Sequence, residues 1–108
     1  MVRNMNKTMN ELNDLIIKWA EEKGITTNGT PIGQASKTLE ETNELIEAVL
    51  SKDVDAIKDA IGDIYVTIAI QAYMNNLSIY ECISSVYDII SKRTGEMVDG
   101  VFVKNEQD

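Results

Sequence analysis

Two groups of carboxylates are spaced so that they can act together. Glu40, Glu41 and Glu44 fall within one short stretch, and Asp59 and Asp63 follow after a break. On a helix, side chains three or four positions apart share a face. Glu41 and Glu44 can therefore reach one point, and Asp59 and Asp63 another. Oxygen-only ligands suit a hard cation, Mg²⁺ or Mn²⁺. Mg²⁺ usually takes a few carboxylates, water and substrate phosphates rather than a full protein cage. The chemistry favoured is attack of metal-activated water on a phosphate ester or anhydride. Lys92 and Arg93 would supply the positive charge that phosphates need. Plainer readings stand beside these: Glu40 and Glu47 as solvated acids, Asp63 as half of a polar core pair, and Lys92 and Arg93 as charges at a helix dipole.

Asp63 weighs most. From Ile61 to Tyr73 it is the sole charge in an otherwise apolar run. A helix hydrophobic on all sides is normally buried, and a buried carboxylate is costly unless paired or metal-bound. Lys58, the nearest base in sequence, sits on roughly the opposite side at ~100° per residue. Asp63 then needs an Arg or Lys from elsewhere, or a cation shared with the first acidic group.

Four helices must position these residues. The first spans about 8–23, with Leu12, Leu15, Ile16 and Trp19 at helical spacing and Gly24 as its stop. Trp19 is either core or a flat stacking wall for a base. A polar connection with an Asn28-Gly29 turn follows. Thr30-Pro31 caps a second helix over about 31–51, whose apolar arc includes Leu39, Leu45, Ile46 and Val49. Asp53 caps a third helix over about 54–75, where Gly62 suggests a close helix–helix approach. Ser78 and Glu81 form a capping box for a fourth helix over about 79–93, with Cys82 as a small core member. The tail has an Asp99-Gly100 turn and a Val-Phe-Val stretch, read as a short extended arm that frays from Asn105. The short break between the second and third helices makes them antiparallel neighbours. Counted outward from it, Glu44 and Asp59 lie at similar depth, and Asp63 lies near Glu40 and Glu41.

Composition narrows the rest. The 108 residues suggest one domain, a helical core over about 8–93 with an arm over 94–108. Ten basic residues against eighteen acidic ones argue against a general nucleic-acid binder. One cysteine excludes an intrachain disulfide, and the lack of histidine excludes Ser-His and Cys-His catalysis. No stretch has a signal-peptide layout or ~18 consecutive apolar residues, so the expectation is a soluble cytoplasmic protein with no membrane partner.

Three elements in order carry a family resemblance: Gln34-x-x-Lys37-x-x-Glu40-Glu41-x-x-Glu44-Leu45, then Gly62-Asp63, then the ending Ile-Ser-Lys-Arg-Thr-Gly-Glu-Met-Val-Asp-Gly-Val-Phe-Val-Lys. Together with Leu-Ile-Ile-Lys-Trp-Ala-Glu-Glu-Lys-Gly-Ile in the first helix, they resemble the MazG-like nucleoside triphosphate pyrophosphohydrolases, the short phage-type members in particular. The resemblance spans about residues 12–104. It implies an all-α four-helix fold with a short extended C-terminal tail, a homodimer or homotetramer, and Mg²⁺-dependent cleavage of a nucleoside triphosphate between the α and β phosphates. It implies Glu41, Glu44 and Asp63 as metal ligands. Where the family has Glu three positions before Asp63, this chain has Ala60, with Asp59 on the same face as the substitute. Arg93 matches the family's basic position, with Lys92 and Lys37 as weaker matches, and Asp88 stands where the family tends to have Asn.

The resulting reading is a triphosphate pyrophosphohydrolase in which Glu41, Glu44, Asp63 and Asp59 hold Mg²⁺, with Mn²⁺ as a substitute. Glu40 orients the attacking water. Lys92 and Arg93 neutralise phosphate charge, with Lys37 beside them, and Trp19 and Gln34 contact the base. The alternative is a non-enzymatic acidic helical module that binds a basic partner through a degenerate site, favoured by Ala60 and Asp88. A third reading is a helical assembly module alone.

Overall fold

The structure is a computed structural model that describes residues 6–106. The four longer helices each begin where a side chain satisfies one of the first free N–H groups. Helix α1 (Met9–Glu22) opens on a capping box. The Glu11 N–H donates to the Thr8 hydroxyl at 3.1 Å, and the Thr8 N–H donates to the Glu11 carboxylate at 2.9 Å. Gly24, at φ 77, stops α1 and turns the chain into α2 (Ile25–Asn28). The polar connection expected there is thus one turn of helix. Thr30 caps α3 (Pro31–Ser51), accepting from the Gly33 N–H at 3.1 Å, with Pro31 at the first position. Asp53 caps α4 (Val54–Met74) through the Ala56 N–H at 3.1 Å. The Ser78–Glu81 capping box opens α5 (Ile79–Ile90). That helix ends before Lys92 and Arg93, which follow its cap, Ser91, rather than forming its last turn.

The tail is a β-hairpin. Strands β1 (Gly95–Val98) and β2 (Val101–Lys104) pair antiparallel, with Gly95 opposite Lys104 and Met97 opposite Phe102. Asp99 and Gly100 both take positive φ, 49 and 85, as a type I′ turn requires. The pairing runs past the strands: the Asn105 N–H donates to the Thr94 carbonyl at 2.9 Å. Asn105 is therefore anchored, not frayed.

The fold is all-α as expected, with α3 and α4 forming the central hairpin. Helix α1 runs alongside α4, tied by the Tyr65 hydroxyl donating to Asn13 at 3.0 Å and the Tyr73 hydroxyl donating to Glu21 at 2.9 Å. Helix α5 packs on α4 at the edge. The buried seam consists mainly of alanines, Ala20, Ala48, Ala60, Ala69 and Ala72, with Ile70 as its large side chain. Small residues let the helix backbones approach closely, and few large side chains are enclosed.

Two expectations for α4 are corrected. It is not buried on all sides: Asp63 is exposed and Ile61 is 57% exposed. Nor does Gly62 mark a close approach within the chain, since nothing lies within 4 Å of where its Cβ would be. The reason is the same for both. Helices α1, α3 and α5 cover only part of the α4 circumference. Water can answer the Asp63 charge, so its burial does not by itself demand a cation. Among the described residues, no helix is long and apolar enough to cross a membrane.

Candidate metal centre

The buried carboxylate lies on α3. Glu41 is 8% exposed, and its Oε2 is buried with no hydrogen-bond partner. One carboxylate oxygen from each of Glu40, Glu41 and Glu44 lies within 4.8 Å of the others. Burial, followed by the charges of Glu44 and Asp63, holds the Glu41 carboxyl above its ordinary range, while Lys37 pulls the other way. The Lys37 ammonium lies 3.1 Å from Glu40 and 3.9 Å from Glu41. Its hydrogen bond to Glu40 holds it above its usual range.

The α3–α4 hairpin brings the acidic groups to facing positions, as the register counted from the break suggested. Three open cavities border Asp63, and two of them take in other acids. One, of about 450 Å³, is lined by Glu44, Glu47, Asp59 and Asp63, with Ala48 and Ala60 among its apolar residues. The other, also about 450 Å³, takes in Glu41, Lys37, Gln34, Trp19 and Asp63. Trp19 is 45% exposed, so it is not a core tryptophan within the chain. The Gln34 Nε2 donates to the Thr67 carbonyl at 3.3 Å, which fixes the amide and keeps its oxygen as an acceptor.

Sequence reasoning missed three contributors. Glu47, read as a solvated acid, lines the acidic cavity beside Glu44. Its i,i+3 relation to Glu44 was the available signal. Thr67 is buried in the α3–α4 seam, where its hydroxyl accepts from Thr38 at 2.8 Å and donates to the Ile64 carbonyl at 2.7 Å. Ile25, on α2, walls the second cavity. Among the described residues Asp59 and Asp63 lie outside the close glutamate group, although both line the acidic cavity, and two predicted residues belong to neither the group nor either cavity. Neither Lys92 nor Arg93 lines either cavity, and neither pairs with the acidic group among the described residues.

The family described as MazG nucleotide pyrophosphohydrolase domain matches residues 30–98. That span holds every acidic residue of the cluster as well as Lys92 and Arg93. A curated relative from Haemophilus phage HP1 (strain HP1c1), titled "Uncharacterized 18.2 kDa protein in rep-hol intergenic region", is 39% identical over 62 residues. The match covers 57% of this chain and 38% of that relative, so the chain spans well under half of the relative's length. No solved structure matches the chain.

Proposed function

Since the chain belongs to the MazG nucleotide pyrophosphohydrolase domain family, we propose that it hydrolyses a nucleoside or deoxynucleoside triphosphate between the α and β phosphates, releasing the monophosphate and pyrophosphate. Mg²⁺ is the cofactor in this reading, and Mn²⁺ can replace it. The observation that carries it is the buried, unpartnered Oε2 of Glu41 in the midst of other carboxylates. Such an oxygen is costly to bury, and the Lys37 ammonium, 3.9 Å away, faces the other carboxylate oxygen, Oε1. An all-carboxylate donor set fits a hard divalent ion. Glu41, Glu44 and Asp63 would hold it, with Asp59 in place of the glutamate that Ala60 replaces. When bound, the ion would lower the pKa of water and neutralise charge on the phosphates.

The chain's own residues do the rest. Glu40 is exposed beside the cluster and orients the attacking water. Lys37 offers the nearest positive charge to the phosphates. Trp19 provides a flat face for the base, and the Gln34 amide oxygen reads a donor on the base edge. Lys92 and Arg93 are phosphate contacts in this reading only if a neighbouring copy brings them to the cluster. That requirement agrees with assembly as a homodimer or homotetramer. The chain exposes 8481 Å², against roughly 6000 Å² for a compact monomer of its mass.

Pyrophosphate release from a panel of triphosphates, each with Mg²⁺, Mn²⁺ or chelator, tests the reading. Metal-dependent release that falls by about 100-fold or more in Glu44→Gln is expected. Full activity in that variant, with the protein folded, would sink the ligand assignment. A folded protein that releases nothing from any triphosphate would move the reading to the acidic interaction module, which Ala60 favours.

A further inference from the structure

The C-terminal half of α4 and one side of α5 form an apolar trough of about 490 Å³. Ile68, Ala72, Cys82, Ile83, Val86 and Ile90 are among its lining residues, and no charged side chain lines it, in a chain of net charge −8. Helix α5 has an apolar stripe at helical spacing, yet none of its residues is buried. A 12-residue helix is marginal in water without packing on such a stripe.

The hairpin after α5 raises the same problem. All residues of β1 and β2 are exposed. By the register, Met97 and Phe102 share one face, and Val98, Val101 and Val103 share the other. A lone two-stranded hairpin is marginal, and an apolar one wet on both faces more so. Its shape is nonetheless tightly specified. The type I′ turn sets the pairing, and the Phe102 ring lies over Gly95, where an added Cβ would come within 2.6 Å of it. The result is a preformed apolar blade joined to α5 by a short link.

We propose that the blade of one copy seats in the α4–α5 trough of a second copy, reciprocally, so that α5 and the hairpin form a twofold subunit interface. The proposal rests on the assembly reading above and not on the catalytic one. Each chain has one trough and one blade, so a dyad fills both with no third component. The surface excess, roughly 2500 Å² over the compact expectation, is larger than the ~800 Å² that a standard interface takes from each partner. Two copies of a strongly acidic chain also meet most favourably where charge is scarce: the trough carries none, and each face of the blade carries a single charge, Glu96 beside the valines and Lys104 beside Met97 and Phe102.

Cys82, the single cysteine, lines the trough and reports on it. Val101→Cys and Phe102→Cys, each in the full chain, are treated with a short bismaleimide and resolved on denaturing gels, with the wild type as control. Cross-linked pairs of chains are expected from the variants and not from the wild type. Light scattering is then run on wild type, Val86→Glu and Val101→Glu, with circular dichroism to establish folding. Each charged variant should associate about 100-fold more weakly or worse. A wild type that is monomeric at tens of micromolar overturns both the assembly reading and this proposal. A wild type that assembles, with folded charged variants that still assemble or with no interchain link from either cysteine variant, overturns this proposal alone.

Discussion

Glu41 is the residue at which burial and charge conflict. Its carboxyl is held above the ordinary value of 4.5, first by burial and then by Glu44 and Asp63. The folded chain therefore binds this proton more tightly than the unfolded chain does. The resulting stabilisation is fully present below the ordinary carboxyl pKa and is lost as pH rises through the raised folded value. Glu41→Gln is accordingly expected to raise the Tm of the metal-free protein at about pH 8, with the difference closing near about pH 4. Millimolar Mg²⁺ is expected to raise the Tm of the wild type and not that of this variant, since a ligand stabilises only the state that binds it. Thermal melts at two pH values, with and without Mg²⁺, check both effects. A variant that melts below the wild type at high pH would show that the carboxylate is satisfied there.

At the scale of elements, the helices divide by what supports them. Helices α3 and α4 share the alanine seam and the Thr38–Thr67 hydrogen bond. Helix α5 has no buried residue and depends on its capping box, in which the Glu81 N–H donates to the Ser78 hydroxyl at 3.1 Å and the Ser78 N–H donates to Glu81 at 2.7 Å. Ser78→Ala is expected to destabilise α5 by about 1 kcal/mol. Amide hydrogen exchange should show the loss in α5, with the α3–α4 seam little affected. Uniformly faster exchange across all helices would mean that α5 unfolds only together with the rest.

The whole molecule is more open than its length requires. Its radius of gyration is 16.3 Å, against about 13 Å for a compact domain of this size. Large apolar side chains stand in water on several elements, Ile46 and Leu50 on α3, Ile61 on α4 and Ile83 on α5 among them. If assembly covers these surfaces, stability depends on protein concentration. The Tm should then rise measurably over a hundredfold range of concentration. A Tm independent of concentration, with a monomer mass throughout, would mean that the surface stays wet.

Local signals made the sequence informative about elements. Thr30-Pro31, Asp53, the Ser78–Glu81 pair and Asp99-Gly100 each act on their own neighbouring backbone, so the starts of three helices and the tail turn were readable without the fold. The i,i+3 and i,i+4 spacing of Glu41, Glu44, Asp59 and Asp63 likewise places each pair on one helical face, and the order of motifs pointed to the family. Burial was not readable in this way, because it depends on how many neighbours a helix acquires. The apolar run of α4 implied a buried Asp63, but only part of that helix is covered, and the buried acid is Glu41. Gly62 implied a close approach that alanines make instead. Lys92 and Arg93 looked like natural partners for phosphates near the acids, yet α5 ends before them and they stand apart from the cluster. Periodicity determines which residues share a face. Only the tertiary packing decided which faces meet and which carboxylate loses its water.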